Sequence, residues 1–216
     1  MIKYQLLLLF VFVSFIKDGA AQSKLASNQF KKEFSNLEEA LKNPENVYRI
    51  DLSNQNLKFS DTIWSKFTNL EYLSLKNDHL KKIPAGIGYL KNLKVLDLSG
   101  NDFKVLPSTF SNLTKLQELF LNDDKNFKFK KNISILSRLP NLRSLHVEND
   151  GLKSLPKDIF KLSHLESLYL NNNEFKQIPI ELSGLENLLF LDFHDNKFKL
   201  SSQNIQNQNF GYKIRF

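Results

Sequence analysis

The sequence predicts an α/β repeat solenoid, a stack of short strand-and-turn units sharing one interior. Three observations predict it. A leucine or its equivalent opens a unit at Val47, Leu70, Leu93, Leu116, Leu142, Leu165 and Leu188, spaced 23, 23, 23, 26, 23 and 23 residues apart. Each unit starts with apolar residues two apart, a strand pattern, and continues with apolar residues three or four apart, a helical or 3₁₀ pattern. A strand and turn of this size cannot bury their apolar faces alone, so each needs copies on either side. The 216 residues suffice for one such domain.

The plainest unit is Leu93 to Lys115. Leu93, Leu96 and Leu98 form its strand; Phe103, Leu106, Phe110 and Leu113 form its turn, with Asn101 between them and Pro107 after Leu106. The strand pair recurs as Ile50 and Leu52, Leu73 and Leu75, Leu119 and Leu121, Leu145 and Val147, Leu168 and Leu170, and Leu191 and Phe193.

Taken in order, residues 1–21 read as an export signal. Lys3 supplies the positive start, Leu6 to Ile16 the apolar run, and Gly19-Ala20-Ala21 a small-residue cleavage site. The run is shorter than the roughly 20 residues that a membrane span needs. Residues 22–46 are expected to form an N-terminal capping helix. Phe30, Phe34, Leu37 and Leu41 make an apolar stripe, Ser35-Asn36-Leu37-Glu38 a capping box at which the helix can restart, and Pro44 a stop. Such a helix would cover the open end of the first repeat.

The seven units of residues 47–198 share a further step, Ile83-Pro84, Leu106-Pro107, Leu155-Pro156 and Ile178-Pro179. With this step and their 23-residue length, the units resemble the leucine-rich repeat family. The resemblance implies a curved right-handed superhelix, with a parallel β-sheet on the concave face and helical or 3₁₀ turns on the convex face. It also implies a ladder of ninth-place asparagines bonding adjacent loops. The ninth-place series here is Gln55, Asp78, Asn101, Asp124, Asp150, Asn173 and Asn196. Asparagine donates and accepts, ionised aspartate only accepts, so weak rungs are expected at Asp78, Asp124 and Asp150. Animal and plant secreted members usually carry cysteine-rich flanks. This chain has no cysteine, which favours an exported bacterial member.

The fourth unit is three residues longer than the others and lacks the Leu-Pro step; its Lys125 to Lys131 segment is expected to loop out. Phe127 is expected to take the core place and Phe129 to stay partly exposed. Asn112-Leu113-Thr114 and Asn132-Ile133-Ser134 match the glycosylation pattern, for which chance in an asparagine-rich chain is the simpler account. Residues 199–216 read as a polar turn and a terminal eighth strand, Tyr212 to Phe216, with Ile214 and Phe216 in the strand places. An uncovered edge there would invite self-association.

The net charge is +7; removing residues 1–21 takes two lysines and one aspartate and leaves +6. The lysines are scattered through the turns rather than gathered on one face, which argues against nucleic acid as partner. There is no glycine-rich phosphate loop, GxSxG elbow or HExxH. His79, His146, His164 and His194 fall in different units without metal-ligand spacing. No catalytic, metal or cofactor site is expected.

What remains is a surface. Strand side chains alternate, so the third, fifth and seventh places of each unit face outward. The fifth places put Phe120, His146 and Tyr169 side by side on neighbouring strands, with Phe190 one strand further and one place across. Exposed aromatics are typical of binding hot spots. The expected contact residues are Tyr72, Lys76, Glu118, Phe120, His146, Tyr169, Phe190, Asp192 and His194. The expected partner is a protein or peptide, with a glycan or an intracellular scaffolding role as alternatives.

Overall fold

A computed structural model of the chain describes residues 32–56, 58, 60–198 and 211–216. The predicted export segment, Phe30 of the predicted stripe and the polar turn at 199–210 lie outside the described residues. The chain divides after Lys32, and the fold below is that of Glu33–Phe216.

The strands are β1 (Glu33–Phe34), β2 (Arg49–Asp51), β3 (Tyr72–Ser74), β4 (Val95–Asp97), β5 (Glu118–Phe120), β6 (Ser144–His146), β7 (Ser167–Tyr169), β8 (Phe190–Asp192) and β9 (Lys213–Arg215). They form one sheet in chain order, every pair parallel. The register follows the repeat: Ile50, Leu73, Leu96, Leu119, Leu145, Leu168, Leu191 and Ile214 stand in line across β2 to β9. The members of that line from Ile50 to Leu191 are fully buried, and so are Leu52, Leu75, Leu98, Leu121, Val147, Leu170 and Phe193 two residues on. A strand with every second side chain in the core offers its remaining side chains to the concave face.

Each strand returns to the next across the convex side. The returns are 3₁₀ turns at Ile63–Lys66, Ala85–Tyr89, Ser108–Asn112, Lys157–Lys161 and Ile180–Gly184. The prolines of the Leu/Ile-Pro steps sit directly before four of them, with φ of −56°, −67°, −66° and −64°. Proline pre-sets that φ where no backbone donor is required, and its carbonyl accepts the first bond of the turn. Phe110 N thus donates to Pro107 O at 2.9 Å and Ile159 N to Pro156 O at 3.0 Å. Neighbouring turns pack tightly: a Cβ on Gly88 would lie 2.4 Å from the Thr109 carbonyl oxygen.

After each strand the eighth place turns left-handed. Asn54, Asn77, Gly100, Asp123, Asn149, Asn172 and Asp195 have φ between 53° and 68°. These are the residue types that tolerate that region. The ninth-place ladder follows. Asn101 Nδ2 donates to Leu75 O (2.8 Å) and Leu98 O (2.7 Å), while its Oδ1 accepts from Asp78 N and Leu80 N. Asn173 repeats this with Val147, Leu170, Asp150 and Leu152. At Asp78, Asp124 and Asp150 the Oδ1 atoms accept, but each Oδ2 is buried without a hydrogen bond.

Two expectations are corrected. The N-terminal cap is not a continuous helix in the described residues: Glu33–Phe34 is a strand, and only Leu37–Ala40 (α1) is helical. Strand β2 would otherwise present unpaired backbone groups, which a strand can satisfy and a helix cannot. The helix is capped by Asn36, whose Oδ1 accepts from Glu39 N at 2.9 Å, one residue later than the Ser35 box predicts. The second correction is the fourth unit. Its extra residues form a helix, α2 (Phe129–Leu136), in place of a 3₁₀ turn. Phe127 lies edge-on to Phe103 in the core, and Phe129 is buried as well, not exposed between lysines.

Candidate functional site

The site is built from the outward side chains of β4 to β8. Strands in register bring equivalent places within stacking distance. Phe120 on β5 stacks on the His146 ring of β6, centroids 4.0 Å apart and planes 20° apart. His146 stacks equally on Tyr169 of β7, at 4.0 Å and 6°. Tyr169 meets Phe190 of β8 at 5.5 Å, tilted by 54°. The expected row is present as a geometry, running obliquely over four strands.

Its middle member is not an open contact. His146 is 7% exposed, closed between two rings and two carboxylates. Its Nε2 lies 3.0 Å from Glu118 Oε1 and 3.2 Å from Ser144 Oγ, and its Nδ1 3.3 Å from Glu148 Oε1. Burial alone would lower the imidazole pKa; bonds and charge from Glu118 and Glu148 outweigh it and hold the pKa above its ordinary value. Both carboxylates favour the charged form of the ring, which lies flat between two π-faces.

Asp192 is corrected likewise, at 4% exposed. Its Oδ1 is bonded to His194 Nδ1, and its Oδ2 is 3.4 Å from Arg215 Nη1. The far side of His194 faces Asp195, with Nε2 to Oδ2 at 3.3 Å. Both His146 and Asp192 hold the site in shape. Phe120, Tyr169, Phe190, Glu118 and His194 are half-buried and Lys76 is exposed. Burial, then Glu118, Asp192 and Glu148, push the Tyr169 phenol up to about 12.

Tyr72 lies apart, toward the N-terminal end. The Arg49 guanidinium sits 4.0 Å over its ring, and Glu33 Oε2 holds that guanidinium at 2.8 Å. The Tyr72 phenol is raised by burial, then by Asp51, Asp97 and Glu33, against Arg49.

Sequence reading missed several residues that hold this surface. Asn122 Oδ1 accepts from Glu148 N at 2.9 Å, tying β5 to β6 just past the row. On the other side of the stack, Asn92, Asn141 and Asn187 each donate to a carbonyl of the preceding unit, and Asn69 to Glu45 of the N-terminal cap, at 2.7–2.8 Å. The signal lies in the spacing: each of these asparagines closes its unit, directly before the leucine that opens the next. Among the described residues there is no cluster of His, Asp or Glu able to hold a metal ion.

In sequence, residues 47–139 match the leucine-rich repeat region family and residues 140–198 match the leucine rich repeat family. The chain belongs to the leucine-rich repeat family. No curated protein matches it in sequence at a significant level. Among solved structures, this leucine-rich repeat chain is similar to a leucine-rich repeat protein of Leptospira interrogans, at 32% identity over 79% of this chain and a TM-score of 0.61. It is also similar to internalin C2 of Listeria monocytogenes, at 27% identity over 71% of this chain and a TM-score of 0.52. Internalin F of the same species shares the fold at 21% identity, 79% coverage and a TM-score of 0.57. The chain spans 48% of the length of the Leptospira protein and of internalin F, and 65% of internalin C2. Members of this family typically mediate protein–protein interaction and are typically non-catalytic.

Proposed function

We propose that this protein is an exported binding module that holds a protein or peptide partner on the concave face of its sheet, without making or breaking bonds. The observation that carries the reading is the Phe120–His146–Tyr169–Phe190 row. Strands fix the backbone of each member, and stacking fixes the rings. Large aromatic faces held rigid lose little conformational entropy on binding, which is what a hot spot requires. Export rests on the signal-like residues 1–21 and on the likeness to internalins. Among the described residues no helix is long and apolar enough to cross a membrane.

The test is crosslinking of the full chain in its native surroundings, with Phe120→Ala and Tyr169→Ala alongside. Each variant should lower partner capture at least about tenfold, in line with the loss of one aromatic hot spot, while folding is retained. Normal capture by both variants would remove the concave row as the site. A glycan array run in parallel separates a sugar-binding surface, to which flat rings also suit, from a protein-binding one. A mature N-terminus near Gln22 supports export; an intact N-terminus on protein recovered from the cytoplasm supports the scaffolding alternative.

A further inference from the structure

The concave face twice uses one arrangement on its own basic side chains. At its N-terminal end the Arg49 guanidinium lies on the Tyr72 ring and is held by Glu33. In its middle the His146 imidazole lies between Phe120 and Tyr169 and is held by Glu118 and Glu148. In both, a planar basic group covers an aromatic face and a carboxylate on a neighbouring strand fixes it.

The same parts stand together a third time without a cation. Phe120 has two faces, and His146 takes the one toward β6. The place in register on its other side, on β4, is Asp97. Asp97 is too short to cover the ring, and its Oδ1 accepts from Ser99 N, two residues on and past the end of β4, at 2.9 Å. Asp97 has no ion-pair partner among the described residues, and Glu118, whose Oε1 already holds His146, stands beside Phe120 on β5. Lys76, exposed on the neighbouring unit, pairs with neither.

The distribution of charge points the same way. The outward places of β4 to β7 and the residues just after them carry Asp97, Glu118 and Glu148 and neither lysine nor arginine. Yet the chain as a whole has 30 Lys and Arg against 23 Asp and Glu, so its cations lie elsewhere. Lys104, Lys125, Lys128, Lys130 and Lys131 are exposed beyond the sheet, around α2. A surface kept clear of lysine and arginine, with a half-buried ring between carboxylates, is complementary to a cation brought by something else.

We infer that the partner presents a basic segment, and that one of its arginine guanidinium groups stacks on the β4-facing side of Phe120, above Asp97 and beside Glu118. This rests on the reading of the concave face as the binding surface and adds the chemistry of the partner. Arginine fits better than lysine, because a planar guanidinium continues the stack and can bond a carboxylate with two N–H groups.

The probe is a fluorescent decapeptide alternating arginine and glycine, titrated into the full chain at pH 7 and 50 mM salt. Three relatives carry citrulline, lysine or glutamate in place of arginine. The arginine peptide should bind, the lysine peptide more weakly, and the citrulline and glutamate peptides at least about tenfold more weakly still, citrulline keeping the shape and losing the charge. Asp97→Asn keeps the acceptor for Ser99 N, and it and Phe120→Leu should each weaken arginine-peptide binding about tenfold. Asp51→Asn is the control: Asp51 accepts from Ser53 N in the same way but has Ser74 in register instead of a ring. It should change nothing. Absence of arginine-peptide binding, equal binding of the citrulline or glutamate peptide, or indifference to both Asp97→Asn and Phe120→Leu would each overturn the inference. A partner whose capture depends on Phe120 and Tyr169 but not on Asp97 would leave the binding surface standing and remove only the cation.

Discussion

Asp150 shows how a single atom type changes a rung. Its Oδ1 accepts from Asp124 N at 2.7 Å, as the Asn173 Oδ1 does from Asp150 N. Its other oxygen occupies the place from which Asn173 donates to Leu170 O, three residues back, and finds no donor there. A carboxyl oxygen buried against acceptors keeps its proton to higher pH. Burial first, then the charges of Asp124, Asp123 and Glu148, push the Asp150 carboxyl up to about 8, against the bond from Asp124 N. Burial likewise pushes Asp124 up to about 6. An acid whose folded pKa exceeds its unfolded value stabilises the fold at low pH, and that contribution is lost as pH rises from about 4 through the folded pKa. The protein should therefore lose stability between about pH 4 and 8, and above pH 6 Asp150 shares the remaining slope with His146, whose pKa is also raised. Asp150→Asn supplies the missing donor. At pH 7, where Asp150 must hold a proton that the unfolded chain releases, the substitution should add about 1–3 kcal/mol, or about 2–4 °C in Tm per kcal/mol. Thermal unfolding of both proteins from pH 4 to 8 checks it: a slope above pH 6 that persists unchanged in Asp150→Asn would remove this account. The ninth-place residues are legible as a column from sequence alone, because their spacing is that of the repeat. The burial of His146 is not, because it depends on the lengths of Phe120, Tyr169, Glu118 and Glu148 on three strands.

Among the elements, those that copy the repeat were readable and those that interrupt it were not. Strands β2 to β8 sit on the predicted apolar pairs, since one hydrophobic period serves all of them. The N-terminal strand β1 is two residues of Glu-Phe, too short for any period to show; the open edge of β2 selects it. Helix α2 was hidden for another reason. Its apolar residues have helical spacing, but the lysines among them suggested a solvated loop. What fixes α2 is Asn132, fully buried, whose Oδ1 accepts from Leu106 N (2.8 Å) and whose Nδ2 donates to Lys104 O (3.1 Å) and Lys128 O (2.9 Å). It joins the fourth unit to the third where other units use the Leu-Pro step. Asn132→Ala leaves three backbone groups without this partner and should cost about 3 kcal/mol in denaturant unfolding, a sum of modest terms for buried bonds. The same burial bears on the glycosylation pattern at Asn132-Ile133-Ser134. Its amide nitrogen is enclosed and used, so the folded chain from a glycosylating secretory host should carry no sugar at Asn132 by mass spectrometry. A loss under 1 kcal/mol on Asn132→Ala, roughly the effect of a surface substitution, would show that α2 is held by its apolar face alone.

At the scale of the whole repeat stack, each unit bonds only its neighbours. Leu98 N donates to Phe120 O, Leu121 N to His146 O and Val147 N to Tyr169 O, a backbone chain of single steps along the sheet. The asparagine columns on both sides of the core also step one unit at a time. Stability in such a stack is close to a sum of unit and interface terms, so a lesion acts where it is placed and at the interfaces it feeds. Leu119→Ala removes a fully buried side chain from the middle unit. It should cost about 2–5 kcal/mol, the range for leucine truncation in a core. Because both halves lose their shared interface, amide exchange should quicken from β3 to β7. Ile214→Ala, at a half-buried position on β9, should cost about 1 kcal/mol and quicken exchange only in β8 and β9. Hydrogen exchange read by mass spectrometry distinguishes the two patterns. Equal quickening everywhere for both variants would mean that the stack opens as one unit, and the aromatic row would then owe its rigidity to the whole sheet. Quickening confined as described would assign that rigidity to neighbouring units, those around the strands β5 to β8 that carry the row.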